Sequence, residues 1–351
     1  MTWRKRLSNT VLKELRTESY DYTLPPELIA TEPAEPRDNA RLLVVDRKSG
    51  KITHTIFSDI FSFLPQESAV IYNNTKVIKA RLFGKKSSGG KVELLINRQL
   101  DANRVNAFIR GKVKEETQLI FDKDLYAKVL QLCNDGSRVV SFYNQNGILI
   151  KFEELLQYLD RIGHIPLPPY IQRDDSKEDE KNYQPVFAKY EGAVAAPTAS
   201  LHFTDHLFEK MQQNYTTSPI TLHVGAGTFK PVESDIITDH PMHSEYYDIP
   251  FQTQKIIDSD TPITAIGTTA TRTIEYYVRS GKPFGECDLF LHPKNRPIRI
   301  NHLLTNFHLP KSTLIMLVAS FLGIELTLEV YNLAIKERYR FYSYGDAMLI
   351  I

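Results

Sequence analysis

The sequence changes its secondary-structure texture along the chain, and this change constrains the fold more than any other feature. Between residues 67 and 143, short strand-sized runs are separated by turn sequences such as Ser87-Ser-Gly-Gly90 and Asn134-Asp-Gly136. Many short strands with turn residues between them are typical of a small all-β barrel or sandwich. From Thr204 onwards, strand-like and helix-like segments alternate, which is typical of an α/β domain.

Helix boundaries in the second half of the chain are marked by residues that start and stop helices. Apolar residues at i, i+3, i+4 and i+7 begin a helix at Phe152, and Gly163 is placed to end it. Thr204 and Ser312 each precede a helical pattern as N-caps. The proline-rich first sixty residues join this half. We therefore predict an α/β core of residues 1–63 and 151–351, with an all-β domain of residues 64–150 inserted into it.

Composition excludes several classes of protein. The chain has 43 Lys and Arg against 42 Asp and Glu, a net charge of +1, so a generally basic nucleic-acid coat is excluded while a local patch is not. Cys133 and Cys287 lie too far apart for a CxxC zinc or redox motif, and they do not imply a disulfide framework. No apolar run reaches the roughly 18 residues of a membrane span, and no secretory signal is recognisable. We expect a cytoplasmic protein that is not bound to a membrane.

Polar residues with reactive side chains gather where the predicted strands end. In α/β folds, ligands bind outside the carboxyl ends of the strands, so these loops predict a polar pocket. The same residue types also cap helices and form turns, and spacing alone does not decide between the two roles. The clusters are Thr198–His202, His223–Thr228, His240–Glu245, Gly267–Arg272 and Thr305–His308.

Glycine and histidine motifs leave two further interpretations open. Gly225-Ala-Gly227 lacks the third glycine of a dinucleotide fingerprint and the Gly-Lys of a P-loop, so it predicts a tight turn near a ligand. His240 and His243 are three residues apart, but no established metal-ligand signature surrounds them. Acid–base or hydrogen-bonding work is therefore favoured over metal binding.

Basic residues form local groups only. Lys79 and Arg81 are predicted on one face of a strand at Val77–Phe83, and Lys85-Lys86 follows at its turn. This group is the best candidate for contacts with phosphates, and Lys294–Arg299 is a second one.

Several motifs together resemble the S-adenosylmethionine:tRNA ribosyltransferase-isomerases of queuosine biosynthesis. They occur in the same order from about residue 20 to the C-terminus, which is far more specific than one short motif. The matching segments are Asp21–Ala30, Pro33–Asp38, Tyr72–Leu82, Gly192–Phe203, Leu222–Phe229, His240–Glu245, Gly267–Thr269 with Arg272, Leu304–Thr313 and Tyr339–Leu349.

The resemblance implies a concrete reaction. The ribosyl group of S-adenosylmethionine is transferred to 7-aminomethyl-7-deazaguanine at the wobble position of tRNA and isomerised to an epoxycyclopentanediol. Adenine and methionine leave, and the product is epoxyqueuosine-tRNA. The implied fold is an α/β barrel-like core with an inserted small β-barrel. S-adenosylmethionine is a co-substrate, neither a metal nor another cofactor is expected, and we expect a monomer.

The implied chemistry needs general acids and bases near neutral pH, for which histidine is the usual choice. We predict His223 and His243 as acid–base residues, with Glu245 orienting a histidine or facing the sulfonium. The predicted substrate-binding residues are Thr198, His202, Gly225, Gly227, Thr268, Thr269, Arg272, Asn306 and His308. The predicted tRNA-binding residues are Lys76, Lys79 and Arg81.

Two of the departures from the family pattern lie within its motifs. Ser200 stands where the pattern has glycine, beside His202, and Asn74 stands where aspartate is frequent.

Two alternative functions remain open: a non-catalytic RNA-binding module, and a metal-dependent hydrolase that uses the histidines. Because the net charge is so small, we expect few phosphate contacts and a shallow salt dependence of tRNA binding.

Overall fold

The computed structural model describes residues 13–229 and 232–351, so residues 1–12 of the predicted core lie outside it. In chain order the strands are β1 (Arg41–Val45), β2 (Ile52–Ile56), β3 (Ala69–Asn73), β4 (Thr75–Val77), β5 (Arg81–Lys86), β6 (Lys91–Gln99), β7 (Arg104–Arg110), β8 (Gln118–Ile120), β9 (Tyr126–Leu132), β10 (Arg138–Tyr143), β11 (Tyr190–Ala193), β12 (Thr217–Leu222), β13 (Glu245–Asp248), β14 (Ile263–Ile266), β15 (Phe284–Cys287), β16 (His302–Asn306) and β17 (Ala347–Ile350). The helices are α1 (Phe152–Ile162), α2 (Lys177–Asn182), α3 (Asp205–Asn214), α4 (Phe251–Ile257), α5 (Gly267–Ser280), α6 (Thr313–Leu322) and α7 (Ile324–Lys336).

A nine-stranded mixed sheet forms the core, with the strand order β15-β13-β12-β3-β14-β16-β17-β1-β2. Strand β3 pairs in parallel with both β12 and β14, and all five of its residues are buried. A strand covered on both faces is expected to be largely apolar, as Ala69-Val-Ile-Tyr72 is, and the buried Asn73 at its end is hydrogen-bonded to the backbone of Leu222. Helix α5 follows β14 directly and packs against this parallel part of the sheet.

Six further strands close into a barrel in the order β10-β7-β6-β5-β8-β9. Burial alternates along β6, where Val92, Leu94 and Ile96 face the interior. Alternation with a period of two is what a barrel with a packed interior requires. The prediction of an α/β core together with a small all-β barrel is therefore confirmed.

The predicted start of the inserted segment, residue 64, is too early for the observed strand pairing. Strand β3 lies in the middle of the core sheet, and β4 pairs in parallel with β11, so barrel pairing begins only at Arg81. The predicted strand Val77–Phe83 is wrong for the same reason, since the chain leaves one pairing partner and joins another across residues 78–80. The division into two domains stays a prediction.

The fold prediction also includes a barrel-like closure of the α/β core. Among the described strands, β15 and β2 stand at the two edges of the core sheet, so a barrel-like closure of the core is not confirmed.

The predicted helix boundaries are confirmed. Thr204 accepts from the Leu207 N–H at 3.2 Å, and Ser312 accepts from the Ile315 N–H at 3.3 Å. Gly163 follows the last residue of α1.

No single helix in the described ranges is long and apolar enough to cross a membrane. Helices α6 and α7 pass such a test only as a pair, by length and composition, and they are bent by 114° at their junction.

Candidate active site

A pocket of about 680 Å³ lies between the core and the barrel. The core contributes the loop after β12, the segment that leads into β13 and one side chain of α5. These elements carry predicted residues from three of the sequence clusters into the same pocket. These residues are His223, Gly225, Gly227, His243, Glu245 and Arg272. We call this site the larger pocket.

Glu245 and Arg272 form a buried ion pair in the larger pocket, with Oε2 and Nη1 2.6 Å apart. The other carboxylate oxygen of Glu245 accepts the backbone N–H of Gly225 at 3.0 Å. Burial alone would lower the pKa of Arg272, but the neighbouring Glu245 carboxylate outweighs it and raises that pKa. Arg272 thus fixes one oxygen of the Glu245 carboxylate, and the other oxygen holds the Gly225 turn.

His223 is held on two sides. Its Nδ1 lies 2.8 Å from the Thr75 hydroxyl, and its ring stacks on Tyr246 at 6.2 Å between centroids. Gly192 allows this position, because a Cβ there would come within 2.8 Å of Nδ1, and its φ of +149° is rarely adopted by other residues. Burial lowers the pKa of His223 to about 4, so the ring is neutral at neutral pH.

His243 packs against Gly227 in the same way. A Cβ at Gly227 would lie 2.6 Å from Cδ2 of His243, so a larger residue would displace the ring. The nearby His240 also lines the pocket, and burial together with the charge of His243 lowers its pKa. The glycines of Gly225-Ala-Gly227 thus position side chains around the pocket, which agrees with the tight turn predicted from the sequence.

The barrel supplies a wall of the larger pocket that sequence reasoning missed. Asn97 of β6 accepts the Ala226 N–H at 2.9 Å, and its amide donates to Asn106 at 2.9 Å. Next to it, Arg98 contacts both carboxylate oxygens of Glu286 on β15 at 3.0 and 3.1 Å. The available signal was the polar stretch Asn97–Gln99 at the end of an apolar strand, which resembles the polar clusters recognised in the core.

The other predicted substrate-binding residues surround a second, smaller cavity of about 40 Å³. One buried water needs roughly 10–15 Å³ of cavity volume, so this cavity holds only about three waters. Leu314 of α6 lines both the larger pocket and this smaller cavity, so it stands between them. The predicted residues in the smaller cavity are Thr198, Thr268, Thr269, Asn306 and His308.

Asn306 carries an unsatisfied acceptor in the smaller cavity. Its Nδ2 donates to the Tyr342 carbonyl at 3.1 Å and lies 3.2 Å from Nε2 of His202, while its buried Oδ1 has no partner among the described residues. Because a carbonyl can only accept, the contact with Tyr342 fixes which way the amide points. His202 therefore lies behind Asn306 and does not line either cavity.

His308, which lines the smaller cavity, and His202 behind it are both neutral at neutral pH. Burial lowers the pKa of His202 to about 3, with the charges of Arg340 and Arg37 adding to the effect, and burial lowers the pKa of His308 to about 3. His308 is fixed by Thr305, whose hydroxyl lies 2.8 Å from Nε2. These rings act as hydrogen-bonding groups at neutral pH.

Comparison with known proteins identifies the family. A family model described as "Queuosine biosynthesis protein" matches residues 17–350. The chain belongs to the queuosine biosynthesis protein family.

Curated members of this family confirm the resemblance in the sequence. The S-adenosylmethionine:tRNA ribosyltransferase-isomerase of a Nitratiruptor species is 62% identical over 341 residues, which cover 97% of this chain and 100% of that protein. The enzyme of the same name from Sulfurimonas denitrificans is 61% identical and covers 96% of this chain and 99% of its own length. A crystal structure of an S-adenosylmethionine tRNA ribosyltransferase from Thermotoga maritima is similar with a TM-score of 0.53 and 34% identity, covering 95% of this chain and all of that one.

The lining of the larger pocket in this queuosine biosynthesis protein contains more acidic than basic side chains. Six carboxylates line it against the guanidinium groups of Arg98 and Arg272, and four of the six are ion-paired: Glu245 with Arg272, Glu286 with Arg98, Glu191 with Lys76 and Asp101 with Arg104. A cleft with an excess of one sign of charge attracts ligands of the opposite sign, so this pocket favours cations and disfavours phosphates. The carboxylates belong to Asp101, Asp135, Glu153, Glu191, Glu245 and Glu286.

The three predicted tRNA-binding cations lie outside both cavities, and each is paired with a carboxylate. Lys76 pairs with Glu191, Lys79 with Glu180 and Arg81 with Glu93, all at 2.8 Å. In the second basic group, Arg299 donates to the carbonyl oxygens of Ile256, Ile257, Ser259 and Thr261, so it closes a loop. Lys76, Lys79, Arg81 and Arg299 are thus committed within the protein, whereas Lys85 and Lys86 form no ion pair with the described residues.

Within the described ranges, no group of three or more His, Cys, Asp and Glu side chains is arranged to hold a metal ion. The two histidines that the sequence offered for a metal, His240 and His243, both line the larger pocket.

Proposed function

We propose that this chain transfers and isomerises the ribosyl group of S-adenosylmethionine onto 7-aminomethyl-7-deazaguanine at the wobble position of tRNA, with release of adenine and methionine. The observation that carries the proposal is the larger pocket, in which the histidines, the glycine turn and the Glu245–Arg272 pair of the family motifs meet. A volume of about 680 Å³ is within the range of small-molecule sites, which is about 300–1,000 Å³.

The charge of the larger pocket supports this substrate pair. S-adenosylmethionine carries a sulfonium, and the base carries an aminomethyl group that is cationic before it reacts. The excess of carboxylates over cations in the pocket lining favours the binding of such cations.

His223 is suited to accept a proton in this reaction. The Thr75 hydroxyl lies 3.5 Å from the Tyr190 carbonyl, to which it donates, and 2.8 Å from Nδ1 of His223. With the hydroxyl proton directed to Tyr190, Nδ1 of His223 is the donor and Nε2 keeps its lone pair. We assign to this nitrogen the removal of a proton, either from the carbon next to the sulfonium or from the attacking amine.

Glu245 and His243 take different roles in the proposal. Both oxygens of the Glu245 carboxylate have partners, so Glu245 acts as a positioning residue that fixes the Gly225 turn. His243, packed on Gly227, is the proposed acid that protonates the leaving adenine. Arg272 keeps the Glu245 carboxylate oriented.

The smaller cavity is the proposed site for part of the nucleoside. The unsatisfied Oδ1 of Asn306 can accept from an amino or hydroxyl group, and the hydroxyls of Thr198, Thr268 and Thr269 surround it. The cavity is too small for a nucleoside as it stands, so Leu314 has to move and join it to the larger pocket. His202 and His308 support this wall through Asn306 and Thr305.

The remaining expectations are part of the same proposal. Lys76, Lys79 and Arg81 would contact tRNA only by exchanging their carboxylate partners for phosphates. A cytoplasmic location follows from the use of tRNA as a substrate. The monomeric state and the barrel-like form of the core stay predictions.

The test is adenine release from S-adenosylmethionine in the presence of tRNA that carries the 7-aminomethyl-7-deazaguanine base. We expect adenine from the wild type, and about 10²- to 10⁴-fold slower release from His223→Ala and His243→Ala, since general acid–base residues contribute that much. His206→Ala is the matched control on the protein surface. Binding of tRNA without any adenine would contradict the proposal and support a non-catalytic RNA-binding module.

A further inference from the structure

One end of the barrel carries a group of lysines from two separate segments. Lys85 and Lys86 end β5, and Lys91 begins β6. Lys112 and Lys114 lie between β7 and β8. The Lys86 ammonium donates to the carbonyl oxygen of Lys112 at 3.2 Å, which brings the two segments together. We call these five residues the barrel lysine surface.

The barrel lysine surface has an uncompensated charge. Lys85 and Lys91 are directly opposite each other in the β5–β6 pairing, an arrangement of like charges that destabilises a sheet. Four of the five side chains are exposed, Lys86 being half-buried, and none forms an ion pair within the described part of the chain.

The nearby carboxylates do not neutralise this surface. Glu116 is paired with Lys128, and Glu115 accepts the Leu132 N–H at 3.4 Å. Glu93 is shared by Arg81 and Arg110. An unpaired like-charge cluster that costs stability in the free protein is expected to have an anionic partner.

The surface is continuous with the larger pocket. Along β6, the outward-facing residues run from Asn97 in the pocket through Leu95 and Glu93 to Lys91, as the alternating burial shows. The six steps along the strand from Lys91 to Asn97 span about 20 Å.

We propose that the barrel lysine surface binds phosphates of the tRNA stem next to the loop whose modified base enters the larger pocket. This inference rests on the proposed function, and it adds where on the protein the tRNA phosphate backbone binds. The acidic pocket repels phosphates, so the backbone has to be held elsewhere, and the base is extruded into the pocket while the stem lies along the barrel. The predicted tRNA-binding residues Lys76, Lys79 and Arg81 are paired, whereas the barrel lysine surface, which includes Lys85 and Lys86 of the same basic group, forms no ion pair with the described residues.

The experiment uses the full chain with Lys85, Lys91 and Lys112 changed together to Gln, which removes charge and keeps a polar side chain of similar length. Binding of tRNA carrying the modified base is measured by fluorescence anisotropy over a series of salt concentrations. We expect at least about tenfold weaker binding near physiological salt, and a salt slope that is smaller by about two, because each phosphate contact contributes about 0.7–0.9.

The matched control changes Lys48, Lys51 and Lys336, three exposed lysines of the core, to Gln. It is expected to bind tRNA as the wild type does. The barrel variant could instead keep the wild-type affinity and salt slope while the wild type releases adenine. That result would overturn the proposed role of the barrel lysine surface without contradicting the proposed function. A wild type that binds tRNA without releasing adenine would overturn the proposed function. If the triple variant does not fold, Lys91→Gln alone is expected to lower the slope by about 0.7–0.9, and no change would overturn the surface.

Discussion

Glu245 and Arg272, 27 residues apart in the chain, meet at 2.6 Å with both side chains almost fully buried. The larger pocket thus contains a fixed ion pair and not an isolated carboxylate. Because the second oxygen of Glu245 holds the Gly225 N–H, the same pair shapes the loop that carries His223.

Glu245→Ala is expected to lower the free energy of unfolding by about 3–5 kcal/mol. The substitution leaves the guanidinium of Arg272 buried without its carboxylate, which is the costly way to break a buried pair. Urea denaturation measures the loss. Glu191→Ala is the control, because its partner Lys76 is half-exposed and such pairs contribute about 0–1 kcal/mol. Equal losses in the two variants would contradict this account of the Glu245–Arg272 pair.

The sequence predicts the elements of this fold better than their contacts. The barrel, the α/β core and the caps Thr204 and Ser312 follow from local patterns, since periodicity and capping depend on neighbouring residues. The strand over Val77–Phe83 is wrong because apolar alternation continues across a point where the pairing partner changes. Local pattern carries no information about that partner.

The candidate site shows the same limit. His223 and His243 were predicted from motifs, and they do lie in one pocket. The barrel wall was missed because Asn97 meets Ala226 across 129 positions of sequence. Lys79 and Arg81 are predicted to contact tRNA, but each pairs with a carboxylate from another segment of the chain.

Stability is expected to fall as the pH falls from about 6.5 to 4, in part because of His223. Its pKa is about 4 in the folded protein and about 6.5 when unfolded, so the unfolded chain binds more protons within this window. Linkage at about 1.4 kcal/mol per pH unit gives an upper value of about 3 kcal/mol. Urea denaturation at pH 7 and pH 4.5 tests this, with His223→Gln expected to lose less stability on acidification. A wild-type pH dependence in that variant would contradict the assignment.

Gly192→Ala is expected to slow adenine release about tenfold or more. The added Cβ would lie 2.8 Å from Nδ1 of His223, so the ring has to leave the Thr75 hydroxyl, and small misplacements of reacting groups are costly. Gly285→Ala separates this effect from backbone strain, because Gly285 has a φ of +139° but no atom within 4 Å of an added Cβ. If both variants lose the same activity, strain and not the position of His223 explains the loss.

Ser200→Ala is expected to raise the free energy of unfolding by about 1 kcal/mol. The Ser200 hydroxyl is fully buried and has no hydrogen-bond partner among the described residues, so removing it relieves a desolvation cost of about 1–3 kcal/mol. Ser218→Ala is the matched control, because that buried hydroxyl lies 2.7 Å from the Thr253 hydroxyl and its loss is expected to destabilise by about 1 kcal/mol. Opposite signs in urea denaturation are the expected result. Destabilisation by both substitutions would mean that Ser200 has a partner, such as a bound water, and that its departure from the glycine of the family pattern is compensated.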